Sequence, residues 1–494
     1  GRLCKDEGRQ MMLYSAGGGH TDNSNAYDTS FRFDASDRLE FRYRPVSGSV
    51  LTKTTKRVLR DVASWYHILL IVNTTEASNA NRIRLYINGS LQSFLHSDST
   101  FPQNLDTHIN GASINQQIGA PAYSSYLTAD RQWYDGYIAD VYMLDGTVGW
   151  ASFFGETKNG IWIPKQYTGD TASYGTKGFN FKFGPGALVD HSGNMPANIP
   201  IWEYKYNGTT KHYDIDCLDT PTNNFAVLNP LIKQYTGAQG QRSRFSNLEA
   251  YGSFGWDAMW ATMFPSFRKG KWYAEYYHLA GISSLTGSKV AAFGVAENHA
   301  NQHDKLGINW NSCGYRNAGD VVRGNYQQFS QTSARWKDGD IIGCMIDYDS
   351  NNTYMEVSFY RNGEFEVKEE MDTNKQRFWT FGVSLSGTSR EAIVNFGQDS
   401  SFRKNVTAQG NKDANGRGDF YYPPPEGALA LCSKNLEATF FSPRRGNIPK
   451  NFVNVTKYWP YQTYGRNLNV GHNPDLVWFR ANGSNWYGGV FDRV

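Results

Sequence analysis

The one carboxylate pattern to weigh for catalysis is Asp214-Ile215-Asp216-Cys217-Leu218-Asp219. A glycan hydrolase needs two carboxyls flanking the scissile bond, about 5 Å apart when configuration is retained. Residues five apart on a regular strand face opposite ways, so Asp214 and Asp219 could converge only through a bulge. The spacing therefore reads as a solvated loop, and a glycan depolymerase using Asp214, Asp216 and Asp219 stands as the alternative. His299 and His303 have the i, i+4 spacing of metal ligands on a helix, but no third ligand is near and the stretch reads as a loop. Gly17-Gly18-Gly19 lacks the lysine and helix of a phosphate cradle and reads as a turn or bulge. Arg417-Gly418-Asp419 lies in a Gly/Asn-rich stretch and carries no adhesive meaning by itself. The chain has no GxSxG, no HExxH, no P-loop and no GxGxxG after a strand. The expectation is a non-enzyme with no cofactor and no metal.

Aromatic side chains near loops remain as ligand candidates. Sugars present apolar C–H faces that stack on flat rings, while polar neighbours take the hydroxyls. Tyr123, Tyr126 and Trp133 fall in one polar connection, and Trp310, Tyr315 and Tyr326 in a second stretch between strands. The competing reading is that these rings fill the rims of sandwiches or pack against other chains. Trp65, Trp272 and Trp336 are expected in or near a core.

Elements that could position such rings follow from composition and pattern. The 494 residues allow two sizeable cores. Aromatics at 15% and 49 glycines suit many short strands and tight turns. A net charge of +3 argues against binding nucleic acid or membrane surface by charge. No apolar run approaches the roughly 18 residues of a membrane span, and no secretory leader is visible. Cys4, Cys217, Cys313, Cys344 and Cys432 are odd in number and scattered, as expected of reduced, mostly buried thiols. The sequons at Asn73 and Asn88 read as accidental in a chain this rich in Asn, Ser and Thr.

Strand signals dominate. In Asn81–Gly89 the residues Ile83, Leu85 and Ile87 share one face, and Asn88-Gly89 supplies a type I′ turn. The run Trp65–Val72 before it reads as a strand buried on both faces. The arrangement recurs downstream: Ile341–Asp347 is the apolar run, Met355, Val357 and Phe359 share a face, and Asn362-Gly363 is the turn. The fold class expected is all-β, with two tandem jelly-roll-type β-sandwiches and an incomplete C-terminal β unit. The first sandwich is placed at 1–165, closing with a strand over Asp135–Met143. A Gly/Pro/Asn-rich connector follows at 166–223. The second sandwich spans 224–432, with Tyr421–Gly427 at its far edge because consecutive prolines cannot donate to a sheet. Residues 433–494, with a strand at Leu476–Phe479, begin a third unit. The polar Gly1–Gln10 looks cut from something longer.

The second sandwich resembles a SPRY domain in Gly270–Glu275, Ala292–Ala296, Asp338–Gly343, Val357–Gly363 and Val394–Gln398. The first is similar to LamG-type, concanavalin-like lectin domains in Ser64–His67, Arg84–Gly89 and Asp135–Val141, without that family's usual opening strand. Together with Asp219–Pro230 and Pro474–Phe479, the combination resembles large structural proteins of marine tailed phages. That resemblance implies a virion location after assembly in host cytoplasm and a tail-fibre, spike or surface-decoration role. It also implies other virion proteins and further copies of the chain, in a homo-oligomer such as a trimer, as partners. Host-surface glycans are the expected ligands, bound through avidity of repeated weak sites. A purely architectural capsid or tail role is the alternative.

Overall fold

Two Asn-Gly pairs organise the molecule. Asn88 and Gly89 have φ of 48° and 73°, and Asn362 and Gly363 have φ of 50° and 86°. Both residues of each pair are left-handed, as a type I′ turn requires. Ile87 accordingly pairs with Ser90, and Arg361 with Glu364. The asparagine side chains extend the likeness between the hairpins. Asn88 Oδ1 accepts the His67 N–H at 2.8 Å, and the Asn88 N–H donates to the His67 carbonyl at 2.8 Å. Asn362 repeats both bonds with Ile341, at 2.9 and 2.8 Å. Each asparagine thus ties its hairpin to the start of the preceding strand. Asn362→Ala is expected to cost about 1–3 kcal/mol, because it strands the Ile341 amide and puts alanine, which lacks asparagine's tolerance of the left-handed region, at φ of 50°. Urea unfolding checks this, and a wild-type midpoint would reject the clamp.

The protein is described by a computed structural model over residues 2–3, 10–18, 27–62, 64–95, 98–122, 132–158, 161–169, 171–183, 189–194, 204–206, 209–211, 217–230, 242–252, 256–265, 269–282, 290–297, 305–307, 311–324, 327–331, 335–348, 354–371, 378–387, 390–440, 476–479 and 489–492. It is nearly all β. Among these residues the α-helical segments are Asn79–Arg82, Ala151–Phe154 and Ser433–Phe440, and none is long and apolar enough to cross a membrane.

In the first sandwich, one sheet has the order Leu51–Val58, Arg38–Arg44, Tyr27–Phe33, Met11–Gly18, Asn115–Ile118. The other has Ile68–Val72, Ile83–Ile87, Ser90–Leu91. Ile83, Leu85 and Ile87 are all buried, as their alternation requires. Leu85 and Ile87 pack with Phe31, Phe33 and Leu39 of the facing sheet. Ile68–Val72 differs from expectation. It is an edge strand and mostly half-buried, with Trp150 lying against Arg84 and Trp162 against His67 and Gly89 of its sheet and turn. Gly17 and Gly18 belong to a strand rather than a turn; a Cβ on Gly17 would come within 2.4 Å of the Tyr27 carbonyl oxygen.

The Asp135–Met143 strand is broken. Asp140 takes φ of 46°, leaving Gly136–Tyr137 paired with Arg2–Leu3 and Val141–Met143 paired with Phe179–Lys182. Part of the expected connector is therefore folded structure: Thr171–Tyr174, Phe179–Lys182 and Val189–Asp190 form an annex.

The second sandwich sets one sheet, Arg242–Arg244, Glu249–Tyr251, Glu391–Asn395, Lys271–Ala280, Ile341–Asp347, Met355–Arg361, Glu364–Met371, against another. The second is Trp256–Trp260, Trp379–Ser386, Ala291–Glu297, Ser312–Arg316, Asp320–Arg323, Gln327–Gln331. Trp272, Tyr276, Ile342, Cys344 and Phe359 meet Phe293, Val295, Tyr315, Phe381 and Val383 in the interior. Ile341–Asp347 is buried throughout, as its continuous apolar run implied.

Its outer face is covered by a strap. After Asn395 the chain crosses that face and returns as Ala428–Ala430, which pairs in parallel with Lys271–Tyr273. Tyr421–Gly427 belongs to this strap, with the Tyr421 and Tyr422 amides bonded to Glu275 of the sheet. Residues Gly1–Phe440 make one compact unit and Phe441–Val494 another, in which Leu476–Phe479 pairs antiparallel with Gly489–Asp492.

Candidate recognition surface

The candidate ligand residues have different fates. Tyr315 is fully buried in the Ser312–Arg316 strand, with its ring 5.4 Å from Phe359 and 6.1 Å from Trp336. It is core, which corrects the ligand-stacking expectation; Ser-Cys-Gly-Tyr-Arg has too little apolar alternation to announce a strand. Trp133 is half-buried ahead of Gly136–Tyr137. Tyr123, Tyr126, Trp310, Tyr326, Asp214, Asp216, His299 and His303 lie outside the described residues. Trp272 and Trp336 are buried, and Trp65 is half-buried.

Asp219 is not a solvated acid. It is 4% exposed, accepting the Trp65 indole N–H at 2.9 Å on Oδ1 and the Phe225 N–H at 3.2 Å on Oδ2. Arg417 donates to Asn435 Oδ1 at 2.6 Å, and the Asp419 carbonyl accepts the Asn395 amide at 2.8 Å, so this tripeptide is part of the strap.

A different aromatic group is on display in the first sandwich. Trp150 and Phe153 are 46% and 41% exposed, as is Ile163 at 41%. The short turn Ala151–Phe154 sends Phe154 inward, where it meets Tyr142 at 5.6 Å and Tyr167 at 5.2 Å. Phe153 stacks on Tyr167 at 6.3 Å, and Tyr167 meets Tyr174 edge-on at 5.4 Å. The Trp150 ring lies over the Arg84 guanidinium at 4.7 Å, a stacked cation–π contact. Trp162 packs against Gly89, Gly155 and His67; a Cβ at either glycine would fall 2.3 Å from its ring. Burial pushes His67 down to about 4, so its imidazole is neutral there. The result is a shelf of flat rings held from below. Its signal in the sequence is the run of five aromatics from Trp150 to Tyr167, denser than the chain average but framed by no strand pattern.

The reactive groups of the second sandwich point inward. Glu275 is 0% exposed on the strap side of its strand. Its carboxylate accepts the N–H groups of Tyr421 and Tyr422, each at 2.9 Å, and the Asn395 amide at 3.1 Å. Burial pushes it up to about 7, against the pull of those donors. Asn395 Oδ1 in turn accepts the N–H groups of Gly397 at 2.8 Å and Asp399 at 3.1 Å. His278 bonds Tyr276 Oη at 2.8 Å and is pushed down to about 4 by burial. Cys313 and Cys344 are buried, which pushes both thiols up, and Cys432 rises to about 11. Cys217 is half-buried. Thiol labelling of the native protein should therefore modify Cys217 well before Cys313, Cys344 and Cys432, which should react only on unfolding. Early labelling of Cys344 would contradict the sealed core.

These features define an all-β protein whose polar groups brace its sandwiches and whose flat rings are presented outside. Residues 275–399 match the model of the SPRY domain family. A solved human SPRY domain is 18% identical, over 30% of this chain and 89% of that one, with a TM-score of 0.25. The SPRY domain of human HERC1 is 16% identical over 30% and 87%, with a TM-score of 0.25. The TRIM65 PSpry domain is 13% identical over 35% and 89%, with a TM-score of 0.26. No curated protein matches the chain.

Proposed function

We propose that this chain is a non-enzymatic structural and recognition protein of a tailed-phage particle, and that its first sandwich presents the Trp150 shelf to host-surface glycans. The SPRY match supports a recognition module. The resemblance of its sequence motifs to those of phage structural proteins supports the particle. The observation that carries the glycan reading is the exposure of Trp150 and Phe153 on a braced platform, with Arg84 fixed beneath one ring. Flat rings stack on the apolar faces of sugars, and Glu156, Lys158 and Lys165 at the rim are exposed to reach hydroxyls. Glu275, His278 and Cys344, which could support chemistry, are enclosed and brace the fold. Single sites of this kind bind weakly, and copies on a particle gain avidity.

A glycan array and whole-cell adsorption with the full chain test this. Trp150→Ala removes an exposed stacking ring and should lower retention about tenfold or more, while the lost contact with Arg84 costs only about 0.5–1 kcal/mol of stability. Equal adsorption by wild type and variant would reject the shelf as the glycan site. It would favour the architectural reading, since exposed apolar groups equally suit subunit contacts.

A further inference from the structure

Three consecutive residues between Arg242–Arg244 and Glu249–Tyr251 are left-handed: Phe245, Ser246 and Asn247, with φ of 53°, 62° and 59°. A second such run, Phe402, Arg403 and Lys404, has φ of 45°, 60° and 58°. Left-handed backbone is costly for residues with a Cβ, so each run needs support from outside its own dihedrals. The two runs touch. The Arg403 guanidinium lies 3.7 Å from the Phe245 ring centroid and pairs with the Glu249 carboxylate.

Each run is also held by one aspartate. Asp399 supports the second from its own segment, accepting the Ser401 N–H at 2.9 Å on Oδ1 and the Arg403 N–H at 2.7 Å on Oδ2. The first run has its carboxylate delivered from far away. Asp135, beside the Gly136–Tyr137 strand of the first sandwich, accepts the Phe245 N–H at 3.0 Å on Oδ2 and the Ser246 N–H at 2.6 Å on Oδ1. Tyr137, two residues on, packs against the core of the second sandwich. Trp65 sits 6.2 Å from Tyr137 and donates to Asp219, whose other oxygen holds the Phe225 amide. The Leu218 N–H donates to the Gln398 carbonyl at 3.0 Å, fixing the connector to the second sandwich.

We infer that Asp135 is a latch: its carboxylate completes the left-handed turn at Phe245–Asn247 and so couples the first sandwich to the SPRY-containing one as a single rigid tandem. The turn is a concave pair of N–H donors suited to an anion, and the first sandwich supplies that anion. Trp65 and Tyr137 close the junction around it. The shelf on the first sandwich is then held at a fixed distance from the surfaces of the second. The inference is independent of any glycan binding.

Hydrogen exchange and calorimetry on the full chain test the latch. Asp135→Ala should raise exchange at the Phe245 and Ser246 amides about tenfold or more and separate one cooperative melting transition into two. Asp135→Asn is the second variant, for use if alanine prevents folding. It keeps one carbonyl oxygen, so only one of the two amides should lose protection. Wild-type protection at both amides in either variant, or a single unshifted transition in Asp135→Ala, would overturn the inference.

Discussion

Replacing Glu275 with alanine is expected to destabilise the second sandwich by about 3–5 kcal/mol, because it strands three buried donors and leaves a void under the strap. The donors are the Tyr421 and Tyr422 amides and the Asn395 side chain. Loss should be felt first in the strap, so that amides of Ala428 and Ala430 exchange faster while the interior strands stay protected. Glu275→Gln is the finer probe. Gln keeps the volume but presents an NH₂ to one of the backbone N–H groups, at a cost of about 1–3 kcal/mol.

The two forms also differ in pH dependence. The unfolded glutamate titrates at its ordinary 4.5, whereas in the folded protein burial raises it to about 7. Across that window the native state holds a proton that the unfolded chain has released, so stability contributed by this group falls as pH rises. Glu275→Gln cannot titrate, so the stability gap between wild type and variant should narrow from about pH 5 to about pH 7.5. Urea midpoints at the two pH values measure it. A gap that widens with pH would mean that the carboxylate is held ionised by its three donors.

How far this was legible in the sequence depends on range. Ile83, Leu85 and Ile87 alternate within five residues, and Asn88-Gly89 and Asn362-Gly363 state their turn chemistry locally, so these elements could be placed from the residues alone. The SPRY motifs could be seen as well, but their work could not. Glu275 stands in Gly270–Glu275 as one acid in an apolar strand, and its partners Tyr421 and Tyr422 lie 146 and 147 residues away. Asp135 and Phe245 are separated by 110 residues, and positive φ at Phe245 leaves no compositional mark because glycine is absent there. Asp219 looked solvated because a neighbouring indole that buries it comes from Trp65, 154 residues earlier. Tyr315 is the opposite case: the small residues around it hide a strand that tertiary packing creates.

An effect of the same size is expected in the interior at Trp336. Its ring is 2% exposed and meets Tyr276 edge-on at 5.4 Å and His278 at 5.7 Å. Its indole N–H donates to the Arg316 carbonyl at 2.8 Å. Trp336→Ala should cost about 3–5 kcal/mol through the lost burial and the cavity left behind. Trp336→Phe keeps most of the ring and leaves the Arg316 carbonyl with the Gly319 N–H alone, at 2.9 Å, for about 1 kcal/mol. The alanine variant should also change the histidine. His278 is held at about 4, chiefly by burial, with Asp338 drawing it upward from 3.6 Å away. Between the ordinary 6.5 and about 4, the unfolded chain binds a proton that the native state refuses, so stability is lost as pH falls through that window. Water admitted to the space vacated by Trp336 would solvate the imidazolium, raise the His278 pKa toward 6.5 and flatten this acid loss. Imidazole titration by NMR in Trp336→Ala reads the shift directly, with Trp336→Phe as the control that keeps the wall in place. A His278 that still titrates near 4 in the alanine variant would mean that the remaining neighbours, Tyr276 above all, keep the ring dry without the tryptophan.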